Sequence, residues 1–76
     1  MFKKQRIETI EQIGKVVREQ RKALGLRQAD AAGLLGVGGR FLSELERGKE
    51  TLAIGKVLQV LQGLKIRIVL DKEKPS

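Results

Sequence analysis

Arg40, Ser43 and Glu44 fall at helical spacing within the run GRFLSELERG, off the face that Leu42 and Leu45 would bury. Those residue types suit the reading of nucleic-acid bases. Arg40 can donate two parallel hydrogen bonds to guanine O6 and N7, worth about 1–3 kcal/mol of discrimination. Ser43 can serve a base or a phosphate. Glu44 can accept from a cytosine amine or, because phosphates repel a carboxylate, orient Arg40 or Arg47 instead. Gln28 and the amides around it are candidates for phosphate contacts, with Arg27, Arg47 and Lys49 adding charge. Gly38 and Gly39, just before Arg40, have no side chains to read with; they are either a plain turn or a place for close backbone approach.

No catalytic set competes with this reading. The 76 residues hold no His and no Cys, which excludes zinc fingers, thiol chemistry, imidazole catalysis and disulfides. Ser43 has no base to activate it. The glycines of GLLGVGGRF are followed by no Lys-Ser or Lys-Thr pair, and Phe41 occupies the third glycine position of a dinucleotide fingerprint. An enzyme is not expected, and neither is a cofactor, a metal or a small-molecule ligand.

Sixteen Lys and Arg against nine Asp and Glu leave a net charge of +7, which favours a polyanionic partner. Nucleic acid is the first candidate. A membrane surface is the weaker one, because the basic residues are interspersed with acids and no apolar run approaches the ~20 residues of a spanning helix. With Phe2 and Phe41 as the only aromatics, the chain has no stacking platform for single strands, so duplex DNA is the better polyanion. No apolar run follows the cations of residues 1–6, so a signal peptide is not expected and the cytoplasm is the expected location. A chain of this length makes one small domain that buries only about 60 % of its unfolded surface, which leaves room for help from a partner chain.

The elements that must position these residues are legible in the punctuation. Residues 1–8 form a basic arm with Lys3, Lys4 and Arg6, either solvated or adding phosphate contacts. Thr9 and Gln12 complete a T-x-x-Q capping box. The first helix then covers about 10–24, with Ile10, Ile13, Val17 and Leu24 on its apolar face, Lys15, Arg18, Glu19 and Lys22 off it, and Gly25 as its stop. A small-sided second helix runs from 27 or 28 to 35, offering Ala31, Ala32, Leu34 and Leu35 for burial and ending at Gly36. The turn 36–38 carries Val37 to plug the corner, as a helix-turn-helix requires. A third helix over about 39–47 is stopped by Gly48. Residues 49–52 make a polar connection to a fourth helix, about 53–62, which would bury Ile54, Val57, Leu58 and Leu61 before Gly63 ends it. Gly14, Gly33 and Gly55 lie inside helices at a cost of roughly 1 kcal/mol each, which predicts close helix packing there. Lys15, Lys22 and Lys56 read as a solvated face.

The period changes after Leu64. Residues 65–70 alternate, with Ile66, Ile68 and Leu70 on one face, and read as a β-strand. A lone strand needs a partner for its amides, so the sequence predicts antiparallel pairing across a symmetric homodimer, with Leu64, Ile66, Ile68 and Leu70 at the interface. The other reading is that 64–70 extends the fourth helix or frays. Residues 71–76 read as a mobile charged tail. The expected organisation is therefore an arm (1–8), a helix-turn-helix domain (9–63), a dimerisation strand (64–70) and a tail.

The run GLRQADAAGLLGVGGRFLSELERGK resembles the helix-turn-helix of lambda-repressor-like, or XRE, regulators, with Gln28, Ala32, Gly36, Val37, Ser43, Glu46, Arg47 and Gly48 at matching places. The wider span, roughly Thr9 to Leu70, is similar to HipB-type antitoxins through FLSELERGKETLAIGKVLQVLQGL and the strand after it. The resemblance implies a mainly α fold of four to five helices with one C-terminal β-strand paired across the dimer. It implies a repressor of palindromic operators in its own promoter that also neutralises a HipA-like serine/threonine kinase toxin. It further implies that Gln28 contacts phosphate, that positions 39, 40, 43 and 44 face the bases, and that Arg21 pairs with Glu46 as a structural tie. Gly38 and Gly39 stand where polar side chains are usual. Gln20 and Ala31 stand where Leu is common, which predicts a thinner core. A stand-alone XRE-type regulator, of phage or housekeeping kind, shares every DNA-facing residue. An interaction module that keeps the shape without binding DNA is the third reading, favoured by the two glycines.

Overall fold

A computed structural model describes residues 4–75. Met1, Phe2 and Lys3 of the basic arm and Ser76 of the tail lie outside the described residues. The described residues form four α-helices in the order α1 (Ile10–Ala23), α2 (Gln28–Leu35), α3 (Gly39–Glu46) and α4 (Ile54–Gly63). The capping box opens α1: Thr9 Oγ1 accepts from the Gln12 amide at 3.3 Å, and Gln12 Oε1 accepts from the Thr9 amide at 3.0 Å. Left-handed glycines follow the first three helices, Gly25 at φ 74°, Gly36 at φ 70° and Gly48 at φ 82°.

The end of α4 corrects the expectation that Gly63 stops it. Gly63 is the last helical residue, and the left-handed position is taken by Lys65 at φ 64°. Two backbone bonds close this turn, Lys65 N–H to Gln62 O at 3.1 Å and Ile66 N–H to Leu61 O at 2.9 Å. The turn folds Ile66 back onto the core. A Cβ on Gly63 would meet the tip of the Leu35 side chain from α2, which would have to turn aside.

Val17 from α1, Ala31 and Ala32 from α2, Leu42 and Leu45 from α3, and Val57, Val60 and Leu61 from α4, with Leu64 just beyond it, make one continuous core. Ala31 is fully buried. Gln20, the other departure from leucine, is half-buried and donates from Nε2 to the carbonyl of Leu64 at 3.0 Å. It ties α1 to the end of α4. Leu24, Leu34, Ile54 and Leu58 are exposed, against the burial expected of them. On α4 the buried stripe is Val57, Val60, Leu61 and Leu64, at i, i+3, i+4 and i+7. Leu58 lies one residue, about 100°, off that stripe.

Close packing explains one of the three interior glycines. A Cβ on Gly14 would collide with the backbone carbonyl oxygen of Leu45 and crowd that of Glu46, so α1 and the end of α3 touch backbone to backbone. Cβ atoms on Gly33 and Gly55 would meet nothing within 4 Å, because neither faces a neighbouring element.

Beyond Lys65 the described residues carry no strand and make no backbone ladder bond within the chain. A single chain offers 65–70 no neighbouring strand, and α4 does not continue into it. Leu64, expected at a dimer interface, is buried in this chain's own core. Ile66 is half-buried, whereas Ile68, Val69 and Leu70 are exposed, Leu70 to 94 %.

Candidate nucleic-acid interface

The geometry of the candidate surface starts from a buried tie beneath it. Arg21 donates from Nε to Glu46 Oε2 at 2.6 Å and from Nη2 to Glu46 Oε1 at 2.9 Å, and its Nη1 donates to the Leu26 carbonyl at 2.8 Å. The two side chains are 9 % and 4 % exposed. Burial disfavours the guanidinium charge, but the hydrogen bonds to Glu46 outweigh it and push the Arg21 pKa up. Gln28 joins them, donating from Nε2 to Glu46 Oε1 at 3.2 Å. One carboxylate thus fixes α1, the α1–α2 turn, the first residue of α2 and the end of α3 with respect to one another.

On that frame α2 and α3, joined by the turn 36–38 with Val37 half-buried, form a helix-turn-helix. Leu42 and Leu45 hold α3 to the core, and Arg40, Ser43 and Glu44 lie on its outer side, with the exposed Arg47 just past its end. Arg40 reaches out with 88 % of its side chain exposed. Glu44 is only 15 % exposed; Lys49 Nζ lies 3.0 Å and Arg40 Nε 3.5 Å from its Oε2. The hydrogen bond from Lys49 is the main cause that holds the Glu44 carboxyl below the usual carboxylate range, against some desolvation, with Arg40 adding to it. Glu44 is therefore engaged with Arg40 and Lys49 rather than with Arg47.

Gly38 is the N-cap of α3 with an ordinary φ of −68°, and Gly39 is the first helical residue. Neither has an atom within 4 Å of where a Cβ would stand, so nothing among the described residues requires glycine there. No side chain caps α2 or α3, which leaves the first amides of both helices without a side-chain partner. Arg27 is exposed and pairs with Asp30 at 3.1 Å. Lys56, read as solvated, has its ammonium 5.9 Å from the centre of the Phe41 ring.

Sequence reasoning gave Arg18 no role, placing it only off the apolar face of α1. The structure sets Arg18 in a shallow cleft with Arg21, Gln28, Ser43, Glu46 and Arg47. The available signal was its position three residues before Arg21, at the edge of the α1 face that meets α3. Among the described residues no group of three or more acidic, His or Cys side chains could hold a metal ion, and no helix is long and apolar enough to cross a membrane.

Four packed helices, the second and third joined by a short glycine turn and the third turning a cationic side outward, define a helix-turn-helix domain of the DNA-binding kind. The Helix-turn-helix domain family matches residues 12–67, and the chain belongs to that family, the XRE-type DNA-binding transcription regulators. It is 58 % identical over 59 residues, 78 % of each chain, to an uncharacterised HTH-type transcriptional regulator, y4mF, of Sinorhizobium fredii. Among solved structures it superposes on a chain of a HipA–HipB–O2–O3 complex with a TM-score of 0.81, at 21 % identity, over 93 % of this chain and 100 % of that one. That likeness is one of fold. The restriction-modification controller protein C.AhdI of Aeromonas hydrophila matches with a TM-score of 0.67 and 29 % identity, over 76 % of this chain and 88 % of that one.

Proposed function

We propose that this chain is a sequence-specific repressor that binds duplex DNA as a homodimer on palindromic operators. The observation that carries the reading is the outer side of α3, where Arg40 stands free of the core at the start of a helix anchored by Leu42 and Leu45. In a helix-turn-helix the second helix enters the major groove with its first residues at base edges. Arg40 and Ser43 are assigned to reading and Glu44 to aiming Arg40. Gly38 and Gly39 allow close backbone approach. Gln28, Arg27, Arg47 and Lys49 are assigned to the phosphates.

Selection of bound duplexes from a random pool tests this directly. The expected product is a palindrome with half-site centres about 10 bp apart. A dimer neutralising about six phosphates gives a log-affinity against log-salt slope near −5 in an anisotropy titration. Arg40→Ala is expected to cut operator preference by about 10- to 100-fold while non-specific binding persists. Unchanged selectivity would favour an interaction module that does not read DNA.

The finer role we assign is that of a HipB-like antitoxin with autoregulation, in the cytoplasm, which binds a HipA-like serine/threonine kinase. Its support is the match in shape to the whole length of the HipB chains, including one in a HipB–O4 20mer complex at a TM-score of 0.80. A stand-alone XRE-type regulator draws support from the y4mF relative and from C.AhdI. Co-purification of a kinase-sized chain with the tagged protein distinguishes the two: its recovery as a stoichiometric partner supports the antitoxin, and recovery of operator DNA alone supports the regulator.

A further inference from the structure

We propose that Arg18 is a phosphate-binding residue and that, with Arg47, it clamps one backbone phosphate of the bound duplex in the cleft between α1 and the end of α3. This rests on the DNA-binding reading above and adds to it a contact from α1. Most of the cations near the helix-turn-helix have a carboxylate partner among the described residues. Arg21 is held by Glu46, Arg27 by Asp30, and Arg40 and Lys49 both lie on Glu44. Arg18 and Arg47 are in no ion pair among the described residues, are exposed, and line the same cleft. The one carboxylate there, Glu46, is 4 % exposed and bound to Arg21 and Gln28, so it offers nothing to either arginine. Two guanidiniums lining one cleft that holds no free carboxylate make it a place for an anion. Their planar forks suit the oxygens of a phosphate.

Helix packing brings the two arginines together. Gly14, one turn before Arg18 on α1, touches the carbonyls of Leu45 and Glu46, the residues that lead into Arg47. The cleft also runs into the outer side of α3, because Ser43 lines it while Arg40, Ser43 and Arg47 share one side of that helix and its continuation. A duplex that takes α3 into its major groove therefore lays a strand along this cleft, which selects DNA backbone over free phosphate.

The test uses the full chain with an operator duplex and a random duplex, in anisotropy titrations across a KCl series, on wild type, Arg18→Ala and Arg18→Lys. Arg18→Ala is expected to weaken both duplexes equally, by about tenfold, the size of one charge-assisted contact. It should also flatten the log-salt slope by about 0.9 per protomer. Arg18→Lys should keep the slope and recover part of the affinity. Thermal melting of both variants should match wild type, since Arg18 is exposed. Wild-type binding with an unchanged slope in Arg18→Ala overturns the clamp, and so does a loss confined to the operator, which would make Arg18 a base reader. A wild type that binds neither duplex overturns the DNA-binding reading itself.

Discussion

Glu46 is the residue whose loss the structure predicts to be felt most. Its carboxylate accepts from two nitrogens of Arg21 and from Gln28 while almost wholly shielded. Truncating it leaves a buried guanidinium without a counter-charge, so Glu46→Ala should destabilise the fold by about 3–5 kcal/mol in urea unfolding. Replacing Arg21 by Met and Glu46 by Leu together should recover most of that loss, because the expensive state is the unpaired charge and not the missing pair. A Glu46→Ala midpoint equal to wild type would remove this account. Glu44, two residues earlier, does different work. It sits near the surface between Lys49 and Arg40, and these two cations hold its carboxyl below the usual carboxylate range. The sequence left its partner open between Arg40 and Arg47, since both are within helical reach. The folded chain decided the matter by bringing Lys49, from beyond the Gly48 turn, onto the same oxygen.

The start of α3 sets two rules against each other. A helix favours a capping side chain and disfavours glycine, yet Gly38 caps α3 with no side chain and Gly39 opens it. The surroundings would accept more, because a Cβ at either position meets nothing within 4 Å. Gly38→Ser combined with Gly39→Ala should therefore raise stability by up to about 1 kcal/mol, read as a higher melting temperature. The same double variant should weaken operator binding if the glycines serve close approach to DNA. A more stable protein with unchanged binding would mean they are only a turn. Helix boundaries were largely legible beforehand, because caps and left-handed glycines act over a few residues. Lys65 escaped notice because a left-handed lysine carries no local signature. Its conformation is stabilised by Ile66 packing onto the core and by the bonds that close the α4 turn.

The molecule as a whole leaves apolar surface uncovered at one end. Leu58, Leu61, Ile66 and Ile68 line a cleft between α4 and the C-terminal segment, and Val69 and Leu70 project beyond it. A second copy pairing along this segment would cover those side chains and supply the missing ladder partners, which is the dimer proposed above. Deleting 68–76 tests it without disturbing the α4 turn or Ile66. Light scattering should then report a monomer, and operator affinity should fall steeply because two linked half-sites become one. A dimer that survives the deletion would move the interface to the exposed Ile54 and Leu58 of α4.

The amino-acid sequence alone was enough for the order of the four helices, for the turn between α2 and α3, and for Arg40, Ser43 and Glu44 on the outer side of α3. Those features follow from periodicity and from turn chemistry within a dozen neighbouring residues. Which side chains share a partner came only from folding. The docking of α1 on α3 at Gly14 placed Arg18 with Arg47, and the packing of α4 left Ile54 and Leu58 outside the core. Such contacts join residues far apart in the chain, and the angle and offset at which two helices meet depend on every side chain between them.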